Sequence, residues 1–180
     1  MDAFVRASHE PVWRLCEALV DTQAADDLTQ ETFVKAVTAI RRFRGDASAR
    51  TWILAIARHT CMDELRTRTR GRRRAATLAG DATERRRAPD IGEEVSARAL
   101  LGHLEIDRRA AFTLTQLLGL TYAEAAETCG CPIGTIRSRV ARARDDLIEM
   151  LGGTIPLAEG YGGAPTDGSR PPSDREPRSS

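Results

Sequence analysis

Lysine is almost missing from this chain. Lys35 is the only one, although 27 basic side chains face 26 acids over the 180 residues and leave a net charge of +1. That balance excludes a uniformly basic nucleic-acid coat, and the preference for arginine reads as coding bias from a GC-rich source. Aromatic residues make up only 4 % and strand signals are nearly absent, while 3.6-period segments dominate, so the predicted fold class is all-α. No charged segment leads into an uninterrupted apolar run, and no run approaches the roughly 20 residues of a membrane span. A cytoplasmic protein without membrane insertion is expected. Cysteine is scarce as well: Cys16, Cys61, Cys129 and Cys131 lack paired metal-ligand spacing, and Cys129-x-Cys131 has no second pair to complete a zinc site. All four are expected to be small buried residues. His59 has no convergent set of Cys, His or carboxylate partners in the sequence, so no catalytic site, metal or cofactor is predicted.

The most informative stretch is TYAEAAETCGCPIGTIRSRVARARDDL, from Thr121 to Leu147. Thr121 and Glu124 have the spacing of a capping box, and Tyr122, Ala125, Ala126 and Cys129 then mark one apolar helical face. Gly130 suits a left-handed C-terminal cap and Pro132 the start of the next helix. In that helix Ile136, Val140, Ala143 and Leu147 face inward, leaving Arg137, Ser138, Ala141 and Arg142 outside. Two short helices, a Gly-containing turn and a free face of arginines and small residues make a helix-turn-helix pattern. Small residues let the backbone approach a major groove, and arginines reach phosphates or guanine edges. The plainer alternative is an amphipathic hairpin with a solvated basic face.

Ahead of this unit, residues 2–20 predict a helix through Val5, Val12, Trp13, Cys16, Leu19 and Val20, with a break or early turn at Pro11. Asp21 is placed to cap a second helix reaching about Phe43, with Phe33, Ala36, Val37 and Ile40 as its inward face. The start of that helix is acidic and amide-rich, at Asp26, Asp27, Gln30 and Glu31. Acids there complement the helix dipole, and an exposed acidic patch could equally dock a basic partner. RRFRGDASAR, residues 41–50, reads as a loop with a basic rim. TWILAIARHTCMDEL, residues 51–65, resumes helix with Trp52, Ile53, Ile56, Ala57, Cys61 and Leu65 inward. Nine arginines follow between Arg66 and Arg87 against Asp81 and Glu84, first continuing the helix and then losing periodicity. Such a run is usually solvated; after a cationic helix it suggests a polyanion nearby. A second helical unit begins near Val95, and the Gly-, Pro- and Ser-rich end of the chain predicts disorder.

Three segments in this order, DDLTQETF (26–33), RFRGDASARTWILAIARHTCMDELR (42–66) and TQLLGLTYAEAAETCGCPIGTIRSRVARARDDL (115–147), closely resemble bacterial RNA polymerase sigma factors of the extracytoplasmic-function class. The resemblance spans nearly all of residues 3–151. It implies two small helical domains joined by a flexible linker: a sigma-2-like domain over 1–70, a linker over 71–95 and a sigma-4-like helix-turn-helix domain over 96–151; the tail over 152–180 lies outside the resemblance and is expected to be disordered from its composition. It implies core RNA polymerase, through its clamp and flap regions, and promoter DNA, duplex and melted, as partners. An anti-sigma protein is a further candidate. Asp26, Asp27, Gln30 and Glu31 match the polymerase-docking positions. Phe43, Arg44, Gly45, Asp46, Ser48, Trp52, Arg58 and His59 match the part that captures the minus-ten element. Thr135, Arg137, Ser138, Ala141 and Arg142 match the face that reads the minus-thirty-five element. The chain departs from the family at His59, where asparagine is common, and at Arg85 to Arg87, in a linker that is often acidic.

The implied function is a non-enzymatic transcription initiation factor that directs polymerase to a specific regulon. The competing reading is a helix-turn-helix regulator that binds duplex operators without polymerase. It shares the reading helix but leaves the acidic patch and basic loop of the first half without a purpose. A small redox or metal enzyme is disfavoured by the scattered cysteines.

Overall fold

The structure, a computed structural model, describes residues 2–43, 45, 48–79 and 97–152. Arg44 and Asp46 of the expected minus-ten loop, the Arg85 to Arg87 run and the tail after Gly152 lie outside the described residues. Seven α-helices are described: α1 (Asp2–Leu19), α2 (Thr22–Ala39), α3 (Ala49–Ala79), α4 (Ala97–His103), α5 (Ile106–Phe112), α6 (Tyr122–Cys129) and α7 (Ile133–Met150). A 3₁₀ turn, Ile40–Arg42, follows α2, and a π-helical turn, Thr113–Leu117, extends α5. There is no strand among the described residues, as an all-α reading requires.

Helices α1, α2 and α3 pack around Val12, Leu15, Cys16, Leu19, Ile53, Leu54, Ala57 and Cys61, each at most 1 % exposed. The second unit buries Leu104, Leu114, Ile136, Val140 and Ala143. The two units share a continuous apolar core, with α3 against α6 and α1 against α5. Cross-links follow the same seam. Arg50 donates to the Leu118 carbonyl. Arg109 donates to the carbonyl of Leu19 at the end of α1 (3.1 Å) and to those of Gly102 and Leu104 around the end of α4. Terminal helix carbonyls have no intrahelical partner, so one guanidinium here satisfies ends from both units.

Two local expectations need correction. Pro11 does not break α1, which runs through it. A proline costs one ladder bond, but the burial of Val12, Leu15, Cys16 and Leu19 immediately after it holds the helix in register. The inward face of α2 is also rotated from the expected one. Ala25, Leu28, Thr29, Thr32 and Ala36 are buried, whereas Val37 is 59 % and Ile40 40 % exposed. Thr32 turns inward because its helix absorbs the hydroxyl, Thr32 Oγ1 donating to the Leu28 carbonyl at 2.7 Å, whereas Thr29 Oγ1 is buried without a hydrogen-bond partner among the described residues.

Other local signals are realised. Asp21 caps α2 by accepting the Ala24 N–H at 2.8 Å, and its carboxylate also pairs with Arg68 on α3. Ser48 Oγ accepts the Thr51 N–H at 3.0 Å near the start of α3. Gly119 and Gly130 take left-handed φ of +69° and +63° at the ends of helical segments.

The Arg68 guanidinium, with help from the Ala24 N–H, holds the Asp21 carboxyl below the usual carboxylate range despite partial burial. A lowered folded-state pKa contributes stability that is present above the unfolded value, about 3.9, and is lost as pH falls through the folded one. Asp21→Ala, which removes cap and ion pair together, is expected to cost about 0.5–2 kcal/mol at neutral pH. Thermal melts of wild type and variant should converge as the solution is acidified below the range where carboxylates ionise. A gap that persists undiminished in acid would show that Asp21 acts without its charge.

Candidate nucleic-acid interface

The turn between α6 and α7 is built as its sequence predicts. Thr121 and Glu124 close a reciprocal capping box, the Thr121 N–H donating to Glu124 Oε2 at 2.8 Å and the Glu124 N–H to Thr121 Oγ1 at 3.2 Å. The backbone N–H and hydroxyl of Thr121 hold the Glu124 carboxyl below its ordinary range, so the cap stays charged and intact at neutral pH. Gly130 then turns the chain, and α7 starts after Pro132. Ile136, Val140 and Ala143 are at most 1 % exposed and anchor one side of α7. Arg137, Ser138, Ala141 and Arg142 all lie exposed on the other. Thr135 is half-buried, and its carbonyl accepts Ser138 Oγ at 3.0 Å.

The arginines of α7 divide into two kinds. Arg139 donates to Asp107 Oδ2 at 2.6 Å and approaches Cys131 Sγ at 3.6 Å, and Arg144 donates to Gln116 Oε1 at 2.8 Å. Arg137 and Arg142 have no hydrogen-bond or ion-pair partner among the described residues. The two arginines singled out from the sequence are therefore the two left available for a ligand.

In the first unit, Phe43 packs on Trp52 with ring centroids 5.0 Å apart, and Gly45, between them in the chain, takes a left-handed φ of +79°. Trp52, Arg58 and His59 come together on α3 in a groove of ≈ 530 Å³ whose far wall is the end of α6, at Thr128, Cys129 and Gly130. Arg58 is not free there: it donates to Asp107 Oδ1 at 2.9 Å. His59 is exposed, 4.0 Å from Asp63 Oδ2. Asp107, in the first turn of α5, thus holds one arginine from each unit, and all three side chains are at most about one-third exposed.

The acidic start of α2 is exposed throughout, but its members differ. Asp26 accepts Trp13 Nε1–H at 2.7 Å and Glu31 pairs with Lys35 at 2.8 Å. Asp27 and Gln30 have no partner among the described residues. Sequence reasoning missed what continues this face. Val34, 65 % exposed, follows Asp27, Gln30 and Glu31 at i+7, i+4 and i+3, and Val37, 59 % exposed, follows Gln30 at i+7. The signal is present in that spacing, but an apolar residue at helical spacing is assigned to the core by default.

Among the described residues no group of three or more His, Cys, Asp or Glu side chains converges as metal ligands. Cys16 and Cys61 are fully buried and hydrogen-bonded to one another, and that bond together with burial keeps the Cys61 thiol protonated far above its ordinary range. Cys129 and Cys131 are half-buried rather than buried, and desolvation pushes the Cys129 thiol up to about 11. Thiols held protonated are poor nucleophiles.

Comparison with known proteins places both units. The description Sigma-70 region 2 matches residues 4–71, and Sigma-70, region 4 matches residues 95–147. The chain is 49 % identical over 154 residues to the ECF RNA polymerase sigma factor SigC of Mycobacterium tuberculosis, covering 82 % of this chain and 81 % of that one. It is 31 % identical over 160 residues to the RNA polymerase sigma-H factor of Pseudomonas aeruginosa, covering 82 % and 83 %. Among solved structures it is similar to the sigma factor RpoE of Bartonella quintana in complex with the anti-sigma factor NepR. There the TM-score is 0.65 at 29 % identity, over 84 % of this chain and 96 % of that one.

The double role of Asp107 yields a direct test. Asp107→Arg sets a third guanidinium against Arg58 and Arg139 at the seam, and like charges at such contacts repel. Small-angle scattering is expected to report a larger radius of gyration, with helicity by circular dichroism retained. An unchanged radius would show that apolar packing alone keeps the units together.

Proposed function

The chain belongs to the extracytoplasmic-function class of sigma-70 RNA polymerase sigma factors, and from that premise we propose how its surfaces divide the work of initiating transcription. It is an alternative sigma factor whose partners are core RNA polymerase and promoter DNA. The observation that carries the division is the sorting of α7: Arg137, Ser138, Ala141 and Arg142 are exposed and the two arginines unpaired, while Arg139 and Arg144 are engaged internally. In this reading that face enters the major groove of the minus-thirty-five element. Asp27, Gln30 and Glu31 on α2 dock on a basic surface of the polymerase clamp, with Asp26 held in line by Trp13. Phe43, Gly45, Ser48, Trp52, Arg58 and His59 belong to the surface that captures the unstacked minus-ten base, together with Arg44 and Asp46 of the same loop.

The chain works as a binding factor and not as an enzyme: its task is to hold a base that has left the duplex, at a cost of a few kcal/mol in stacking and pairing. It acts where the polymerase acts, in the cytoplasm, and none of its described helices is long and apolar enough to cross a membrane. The division into a sigma-2-like domain over 1–70 and a sigma-4-like domain over 96–151 is supported by the two separate matched spans. The Bartonella complex supports an anti-sigma protein as a regulator here too. Arg58 cannot grip a DNA strand while it holds Asp107, so promoter capture exchanges that carboxylate for phosphate and parts the seam.

Run-off transcription with core polymerase on a library of upstream sequences tests the whole reading, and tight duplex binding without polymerase would favour an operator-binding regulator instead. Asp27→Arg with Glu31→Arg is expected to abolish co-elution with core polymerase while leaving helicity intact, because reversing charges at a desolvated contact costs several kcal/mol. Unchanged co-elution would move the docking face elsewhere. Arg137→Ala and Arg142→Ala, scored on single-base variants of the upstream element, separate base readers from phosphate contacts. A guanine reader loses about 1–3 kcal/mol of discrimination, whereas a phosphate contact weakens every sequence alike. If neither changes affinity or preference, α7 is not the reading helix.

A further inference from the structure

Helix α7 begins with two residues that its own packing does not account for. Ile133, the first, is 41 % exposed, although the helix buries Ile136, Val140 and Ala143 on the side that packs. Gly134 follows, exposed and without a left-handed φ. Glycine is the weakest helix former after proline, and a Cβ added at this position meets nothing of the surrounding protein within 4 Å. Neither a turn nor internal packing therefore requires glycine there. What does require it lies outside the chain.

Both residues stand where a reading helix meets bases. The N-terminal residues of such a helix contact base edges in the major groove. Gly134, Ser138 and Ala141 recur at i, i+4 and i+7 along the free face of α7, and Ile133 lies at the edge of that face, one turn ahead of Arg137; all five are exposed. No side chain folds back over the start of the helix as a cap.

The chemistry of the isoleucine narrows what it meets. With no donor or acceptor, it can neither hold a phosphate nor read the polar pattern of a base edge. The major groove shows one apolar feature, the methyl group at C5 of thymine. Any other base presents polar atoms there, and burying them against isoleucine leaves them unpaired. A β-branched side chain on a helix is also stiff at χ1, so the contact is aimed before DNA arrives.

We propose that Ile133 reads one thymine of the minus-thirty-five element through its C5 methyl, with Gly134 as the gap that lets the duplex come close enough for the contact. The proposal rests on the reading of α7 as the minus-thirty-five helix. It adds a base preference beside the position served by Arg137, made by exclusion of water and not by hydrogen bonds. Ile133 sets specificity, and Gly134 is a positioning residue.

The test uses holoenzyme assembled from core polymerase and the full chain, on a promoter fragment selected by run-off transcription. Each thymine of the upstream element, on either strand, is replaced in turn by deoxyuridine, which removes the methyl and keeps every hydrogen-bonding group. Wild type is expected to lose about fourfold in affinity at one position, the worth of one methyl group withdrawn from water. Ile133→Ala should weaken the thymine duplex by a similar factor and no longer distinguish uracil there, while Arg137→Ala keeps the distinction. Core binding and circular dichroism should match wild type. Gly134→Ala should raise the Tm of the free chain by about 2–4 °C, since it improves the helix and meets no neighbour, yet weaken upstream binding. A wild-type holoenzyme indifferent to uracil at every thymine overturns the proposal. A uracil effect that survives Ile133→Ala overturns it too, giving the methyl contact to another side chain, and loss of core binding would make Ile133 a polymerase contact instead. Unchanged upstream binding by Gly134→Ala overturns the gap. If Arg137→Ala and Arg142→Ala also leave binding unchanged, the reading of α7 itself fails. If either weakens binding while uracil does not, only the role of Ile133 fails.

Discussion

A carboxylate shared by two arginines is the contact on which the arrangement of this molecule turns. Asp107 sits in the first turn of α5, where the helix dipole favours an anion, and receives Arg58 from α3 and Arg139 from α7. All three side chains are largely withdrawn from water, so each interaction is stronger than a surface pair, and each charge would be costly to leave alone. The two arginines come from the two elements assigned to promoter DNA. In the proposed reading, the carboxylate that closes the seam competes with phosphate for the same guanidinium of α3.

The near-neutral net charge conceals a division of labour among arginines. One group is structural. Arg109 closes the carbonyl ends of helices from both units, Arg68 ties α3 to the cap of α2, and Arg108 holds Asp146 through both carboxylate oxygens, the shorter distance being 2.7 Å. The other group points outward without partners: Arg137 and Arg142 on α7, and Arg70, Arg72, Arg73 and Arg74 on α3. Acids serve mostly the first group and the exposed start of α2. A chain of net charge +1 can in this way offer two cationic faces and one acidic face at once. The planar, always-charged guanidinium suits both uses, since it forks onto carbonyls and carboxylates inside and onto phosphates outside.

The elements where sequence and structure part company follow from the same competition for partners. Apolar residues at helical spacing, such as Val37 and Ile40, usually face inward, but α2 fills its inward face with Ala25, Leu28, Thr29, Thr32 and Ala36. Thr32 can be buried because its hydroxyl bonds back to the helix, an option that a simple apolar count ignores. The valines left outside then continue the exposed acidic face. At Pro11 the local cost is real, and the apolar surface that follows it is large enough to override that cost.

What the amino-acid sequence determined by itself is what depends on neighbours within about one helical turn. The capping box of Thr121 and Glu124, the left-handed Gly130, the Asp21 cap and the outward face of α7 are all of this kind. Their physics is local hydrogen bonding and backbone conformation, so the residues that decide them lie in one window. Only the tertiary structure decided which arginines are free to bind. The partner of Arg58 lies 49 residues away at Asp107, and that of Arg109 lies 90 residues away at the Leu19 carbonyl. A guanidinium on a long flexible stem takes whichever carbonyl or carboxylate the packing brings within reach, and no spacing along the chain encodes that choice.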